Sequence, residues 1–153
     1  MRDPKVSIIM NCLNGSEYLK EALDSVMMQT YKNWEVIFWD NASTDDSASI
    51  ARSYGEKIKY FCSESTTKIS IAREKAFKEA SGDYIAILDD DDIWLPQKLE
   101  KQINIFKKNQ NIGVVFCDTM NFDENGDQFN QFSLFEPFSG KVFGSILRNN
   151  FLS

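Results

Sequence analysis

A chain of 153 residues with 42% hydrophobic content is long enough to bury a core and too apolar for a disordered tail, so we read it as one domain over 1–153. A formal net charge of −6 disfavours nucleic acid as a partner, because phosphate backbones are held through lysine and arginine. The absence of histidine removes Ser-His-Asp and Cys-His catalysis, histidine general bases and histidine-containing zinc sites.

The first residues lead, without a signal-peptide core, into an apolar run at 6–10 that predicts a buried parallel strand. From 17 to about 29, Leu19, Leu23, Val26 and Met27 recur at helical spacing, with Ser16 as the expected N-cap. Residues 34–39 predict a second strand ending at Asp40, and the polar loop 41–46 leads into a short helix that Gly55 stops in the left-handed conformation. A short strand follows at 58–61, then a helix at 69–80 ending at Gly82 by the same logic. Residues 84–88 read as a buried strand running into four consecutive aspartates, Asp89 to Asp92. Pro96 fits the first turn of a helix whose apolar face is Leu99, Ile103 and Phe106. Residues 114–117 read as a further strand. Asn125-Gly126 is a hairpin signal, followed by a strand-like 129–134 and a helix-like 142–147, giving an antiparallel excursion.

Strand-helix alternation predicts a Rossmann-like α/β/α sandwich with a mainly parallel central sheet. Ligands of such sheets sit beyond the carboxyl ends of the strands, where strand order reverses. Residues 10–14, 40–41 and 89–92 all fall at such ends, so three polar segments converge on one crevice. Adjacent carboxylates repel and hold protons at raised pKa unless a cation compensates them. On an extended backbone Asp89 and Asp91 face the same side, a D-x-D arrangement suited to Mg2+ or Mn2+ with phosphate oxygens completing the shell. Asp40 would accept a hydrogen bond from a nucleobase N–H, and Arg73 would pair with that carboxylate or with a phosphate. A metal-bound diphosphate is the ligand these features fit.

Other readings fall away. Trp94 stands where a calcium EF-hand starting at Asp89 needs glycine, and Pro96 interrupts that loop. The glycines form no G-x-G and no P-loop, so a dinucleotide fingerprint is absent and a nucleotidyltransferase is disfavoured. Cys12, Cys62 and Cys117 make no C-x-x-C pair and read as buried thiols; Trp34, Trp39 and Trp94 read as packing residues. No apolar stretch is long enough for a transmembrane segment, and cytoplasmic residence is expected.

Over residues 4–105 the chain resembles the family 2 glycosyltransferases, which have the GT-A fold. The residues that carry the likeness are Pro4 to Ile9, Asn14, Tyr18-Leu19, Ala22 to Val26, Gln29 to Tyr31 and Trp34-Glu35. They continue through Asp40 to Asp45, Ala72-Arg73, Ser81 to Ala86 and Leu88 to Pro96. The resemblance implies a nucleotide-diphosphate sugar donor, with UDP favoured, and inverting transfer to a carbohydrate or lipid-linked acceptor. It implies a full-length enzyme that is cytoplasmic or peripheral to the membrane. By position Asp40 matches the acidic residue that reads the base. Asn11, Cys12, Leu13 and Asn14 match the loop around the nucleotide, and Arg73 matches a donor-contacting arginine. Asp89-Asp90-Asp91 matches the element that holds ribose and the divalent metal, with Asp89 and Asp90 towards the substrate and Asp89 and Asp91 towards Mn2+ or Mg2+. The chain departs from the family at Asn11-Cys12-Leu13-Asn14, where Pro-Thr-Tyr-Asn is common, and at Glu74 and Ala76, where Asn and Gly are frequent. The family's catalytic base belongs to a later acidic motif that residues 1–153 do not show, because Asp123, Glu124 and Asp127 read as solvated turn residues. The expectation is therefore the donor-binding part of a longer enzyme, or alternatively a nucleotide-sugar-binding module without transfer.

Overall fold

The computed structural model describes residues 2–122, 128–130, 132, 139–142 and 144. It divides into two compact units, Met1–Lys101 and Gln102–Ser153. The first holds a four-stranded sheet of β1 (Val6–Cys12), β2 (Trp34–Asp40), β3 (Ile58–Cys62) and β4 (Tyr84–Ile87), ordered β3-β2-β1-β4 with every pair parallel. Between the strands come α1 (Leu19–Met27), α2 (Ser47–Arg52) and α3 (Ile69–Lys78), and α4 (Lys98–Lys108) follows the acidic segment. Strand order reverses between β1 and β4, which places the switch point at the ends of those two strands.

β1 is central, so all seven of its residues are buried. One sheet face lies under α3, where Ile9, Ile37 and Ala76 form a core with Trp39, Phe61 and Ala80. Ile8, Met10, Val36 and Phe38 on the other face are equally buried, and α1 buries Leu19, Ala22, Leu23 and Val26 at helical spacing. At the amino edge Glu35 is buried and saturated: Lys5 at 2.7 Å, Lys59 at 2.8 Å, the Ser7 and Ser81 hydroxyls and the Ser81 N–H all donate to it. Burial opposes its ionisation, yet these donors hold the carboxyl far below the usual range.

Five expectations change. Gly82 is not a left-handed helix stop; an added Cβ there would lie 2.6 Å from the Ser7 backbone nitrogen and 2.8 Å from the Lys5 carbonyl, so glycine is needed because β1 passes so close. Ser16 is not the N-cap, since α1 begins beyond Tyr18 with no side-chain cap. Pro96 precedes α4 by two residues, and its carbonyl instead accepts the Thr30 N–H. Among the described residues β4 ends the sheet, with Ile85 and Ile87 each 47% exposed, so its apolar run does not signify burial on both faces. Cys62 is exposed rather than buried, whereas Cys12 is buried and Cys117 intermediate.

In the second unit β5 (Met120–Phe122) pairs antiparallel with β6 (Gln128–Asn130), as the hairpin signal predicts. The expected strand at 114–117 does not form. Val114 is 50% exposed and the run finds no ladder among the described residues, so β-propensity acts without a pairing partner. Phe116 instead meets Phe132 edge to face, and the Asp118 carboxylate accepts the N–H groups of Thr119 and Phe132. The Asn125-Gly126 turn, Asp123, Glu124, Asp127 and most of 131–134 and 142–147 lie outside the described residues.

Candidate functional site

Two loops at the carboxyl edge are zipped together by side chains reading backbone. Asn14, at φ 57°, accepts the Thr44 N–H at 2.8 Å and gives its own N–H to the Ser43 hydroxyl at 3.0 Å. The Gly15 N–H reaches the Ser47 hydroxyl at 3.1 Å, and the Asp45 carboxylate accepts the N–H groups of Ser16 at 2.9 Å and Ser47 at 3.0 Å. Desolvation works against Asp45, but these donors keep its carboxyl well below the ordinary range. Ala42 closes the second loop at φ 67°, a left-handed conformation costly for a residue with a Cβ.

The acidic segment is a turn rather than a strand extension: the Asp92 N–H returns to the Asp89 carbonyl at 3.2 Å. The alternation argument that put Asp89 and Asp91 on one side of an extended chain therefore does not describe them. Asp89 pairs with Arg73 at 2.7 Å, bringing together two of the expected site residues. Asp90 turns inward against the first loop, so close that a Cβ on Gly15 would lie 2.1 Å from its Oδ2. Burial raises the Asp90 pKa and the charges of Asp91 and Asp89 add to it; Asp92 is raised by the same causes in the same order. Burial and the Asp90 carboxylate push the Cys12 thiol up to about 12, so it stays neutral. Leu13 is 45% exposed at the loop tip.

The far side of the turn is fixed by α1. Ser25 Oγ accepts the Trp94 N–H at 3.1 Å, and the buried Gln29 amide gives its N–H to the Leu95 carbonyl at 2.9 Å and accepts the Leu99 N–H at 3.1 Å. This explains a buried glutamine two residues beyond the end of α1.

Asp40, the expected base reader, is 1% exposed; its carboxylate accepts the Ser43 N–H at 2.7 Å and the Tyr60 hydroxyl. In this state it shapes its loop. The neighbouring Asn41 donates to the Thr67 carbonyl at 2.8 Å and accepts the Thr67 N–H and hydroxyl, tying the β3–α3 loop to the same edge. Asn11 is different: it is 5% exposed, and neither of its amide atoms has a hydrogen-bond partner among the described residues.

The donor set suits a hard divalent cation. Crowded carboxylates, with Asp90 and Asp92 pushed towards the neutral form, are in the state that Mg2+ or Mn2+ relieves. Among the described residues no group of three or more His, Cys, Asp or Glu side chains forms a self-sufficient cage. A site completed by phosphate oxygens needs only one or two carboxylates. Sequence reasoning missed the loop zipper, the contact of Gly15 with Asp90 and the unpaired Asn11 amide. A Gly directly after the left-handed Asn14 signals close backbone approach; nothing in the sequence marks the amide as unpaired.

The family model described as glycosyl transferase family 2 matches residues 7–150. WfgD of Escherichia coli, a UDP-Glc:alpha-D-GlcNAc-diphosphoundecaprenol beta-1,3-glucosyltransferase, is 39% identical over 117 residues, covering 76% of this chain and 46% of that protein. The uncharacterized glycosyltransferase MJ1057 of Methanocaldococcus jannaschii is 37% identical over 137 residues, covering 86% of this chain and 47% of its own. The chain spans less than half the length of the relatives it matches. Among solved structures, the mannosyltransferase PcManGT of Pyrobaculum calidifontis in complex with GDP-Man and Mn2+ superimposes with a TM-score of 0.70 at 25% identity, over 76% of this chain and 36% of that one. TarS 1-349 of S. aureus in complex with UDP-GlcNAc gives 0.65 at 26% identity, over 69% and 32%. The parallel sheet is thus of GT-A type.

Proposed function

The chain belongs to glycosyl transferase family 2, and on that premise we propose that it forms the donor side of an enzyme transferring sugar from a nucleoside diphosphate, preferentially UDP, to a carbohydrate or lipid-linked acceptor. The observation that carries the reading is the switch point itself. The Asn11-to-Asn14 loop and the acidic turn meet there through Gly15 and Asp90, with Arg73 paired to Asp89 beside them. By their position in the family pattern, and not by strand alternation, Asp89 and Asp91 would hold the divalent ion, which when bound would neutralise the charge that develops on the departing diphosphate. Arg73 shares its guanidinium between Asp89 and the phosphates, a role for which a planar fork of donors is suited. Asp90, packed against Gly15 and Cys12, joins the acidic turn to the first loop. Direct displacement at the anomeric carbon, with a carboxylate base activating the acceptor hydroxyl, is the inverting course we assign.

Thermal unfolding with Mn2+ and UDP tests this. A ligand that binds only the folded state raises the melting temperature, and Asp91→Ala should abolish that rise. An unchanged shift in Asp91→Ala overturns the metal assignment. No shift in the wild type with Mn2+ and either UDP or GDP overturns the donor-site reading itself. Among the described residues no helix is long and apolar enough to cross a membrane.

A further inference from the structure

Resting on the donor-site reading, we propose that Lys98 is the resident counter-ion of the acidic turn, a positioning residue that holds the turn when no metal is bound and lowers its affinity for a free divalent cation. The turn is bracketed by cations from different helices. Arg73 on α3 pairs with Asp89 at 2.7 Å, and Lys98, the first residue of α4, stands at the other end beside Asp92. The Lys98 Nζ lies 4.1 Å from the centre of the Trp94 ring, and Trp94 is itself buried and fixed by its backbone N–H on Ser25 Oγ. A cation over an indole face is held there electrostatically, so the ammonium has a set place rather than a free arc in solvent. Between the two brackets Asp91 has no ion pair among the described residues.

The position of Lys98 runs against a local rule. The first turn of α4 is the positive end of the helix dipole, where an acidic residue such as Glu100 is favoured and a lysine is not. The carboxylates just upstream compensate. Burial and the charges of Asp91 and Asp89 disfavour the charged form of Asp92, and Lys98 is the group that works against them. The same ammonium acts on any ion that enters the turn: it repels Mg2+ or Mn2+ and attracts a diphosphate. A free cation is therefore bound less tightly than the aspartates alone would bind it, whereas a cation that arrives with a diphosphate meets little net repulsion. Lys98 thus keeps the turn in shape without metal and favours the metal–diphosphate pair over the bare ion.

Titration with Mn2+ in the absence of nucleotide, followed by electron paramagnetic resonance, tests the assignment in wild type, Lys98→Met and Lys98→Arg. Methionine keeps an aliphatic stem over Trp94 and removes the charge, whereas arginine keeps the charge and stacks on the ring. Lys98→Met should bind free Mn2+ about fivefold more tightly than wild type at low ionic strength, and the difference should shrink in about 0.5 M salt. Lys98→Arg should match wild type. Without metal, Lys98→Met should melt at a lower temperature, and Mn2+ should raise its melting temperature by more than it raises that of wild type. Removing a residue that merely supports the fold would loosen the turn and weaken Mn2+ binding, so the sign of the change separates the two roles. Equal or weaker Mn2+ binding by Lys98→Met overturns the proposal, as does the same tightening in Lys98→Arg. Lys98→Gln serves in the same way if the methionine variant does not fold. Failure of the wild type to bind Mn2+ with either UDP or GDP overturns the donor-site reading and this inference together. A wild type that binds Mn2+ with a nucleotide, beside a Lys98→Met variant that shows no tightening, overturns this inference alone.

Discussion

Gly15→Ala separates the binding edge from the stability of the fold. Gly15 has no positive φ, so alanine suits its backbone, and reducing the freedom of the unfolded chain contributes roughly 0.4–1 kcal/mol in favour of folding. The new methyl, however, would stand 2.1 Å from Asp90 Oδ2, 2.9 Å from its Cγ and 3.0 Å from Cys12 Sγ. Ordinary contact begins at 3.4 Å, so the carboxylate must retreat by about 1.3 Å. Asp90 is the end of a flexible side chain and rotates at modest cost, which should leave net stability within ~1 kcal/mol of wild type. The affinity for Mn2+ plus UDP should fall about tenfold, ~1.4 kcal/mol, because the Asp90 carboxylate beside the proposed metal ligands has moved by about 1 Å. Urea unfolding and isothermal titration on the same preparation read the two quantities. Unchanged affinity would show that the position of Asp90 is immaterial. A stability loss above ~2 kcal/mol would show that the loop backbone gives way in its place.

Gly82→Ala should do the reverse: its methyl meets β1 backbone, which cannot rotate away, and the Ser7 hydroxyl would lose its bond to the Gly82 N–H. Unfolding should become easier by ~2–4 kcal/mol, measured by urea titration; a change under ~0.5 kcal/mol would refute the close-approach account. Glu35→Gln should cost ~2–3 kcal/mol at pH 7, below the figure for a fully buried pair because both lysines are partly wet. The folded pKa of Glu35 is depressed, so this stabilisation is complete above the unfolded pKa of about 4.3 and is lost as pH falls towards the folded value. The gap between wild type and Glu35→Gln should therefore narrow on going from pH 7 to pH 3, and a constant gap would refute the assignment. Gln29→Leu should cost ~1–3 kcal/mol by stranding the Leu95 carbonyl and the Leu99 N–H, read by thermal melting at a single pH.

How much of this was legible in the sequence depended on the period of the signal. β1 and β2 are continuous apolar runs in a sheet buried on both faces, and their ends were readable within a few residues. The 114–117 run has the same composition, but a strand exists only where a ladder partner exists, and pairing is a tertiary fact. The acidic cluster was legible as charge and as position. Its turn was not, because the Asp92-to-Asp89 bond depends on a segment pinned by Gln29 and Ser25 more than sixty residues away in sequence. The same limit applied to Asp40: a carboxylate at a strand end is visible in sequence, but its occupation by Tyr60 requires β2 and β3 to be in register.

The two edges of one sheet are built to opposite standards, and that asymmetry supports the site proposed at the carboxyl edge. At the amino edge every oxygen of Glu35 has a donor and Ser7 joins β1 to the segment before β4. At the carboxyl edge Asn14 and Ala42 sit at positive φ, Asp90 and Asp92 are driven towards protonation, and the amide of Asn11 has no partner among the described residues. Strained backbone, crowded charge and unpaired polar atoms each lower stability, and chains retain them where something else is gained. A cation, a diphosphate and a nucleobase would relieve the charge and the missing hydrogen bonds at this edge. Filling it with apolar residues should therefore give a more stable sheet that no longer binds.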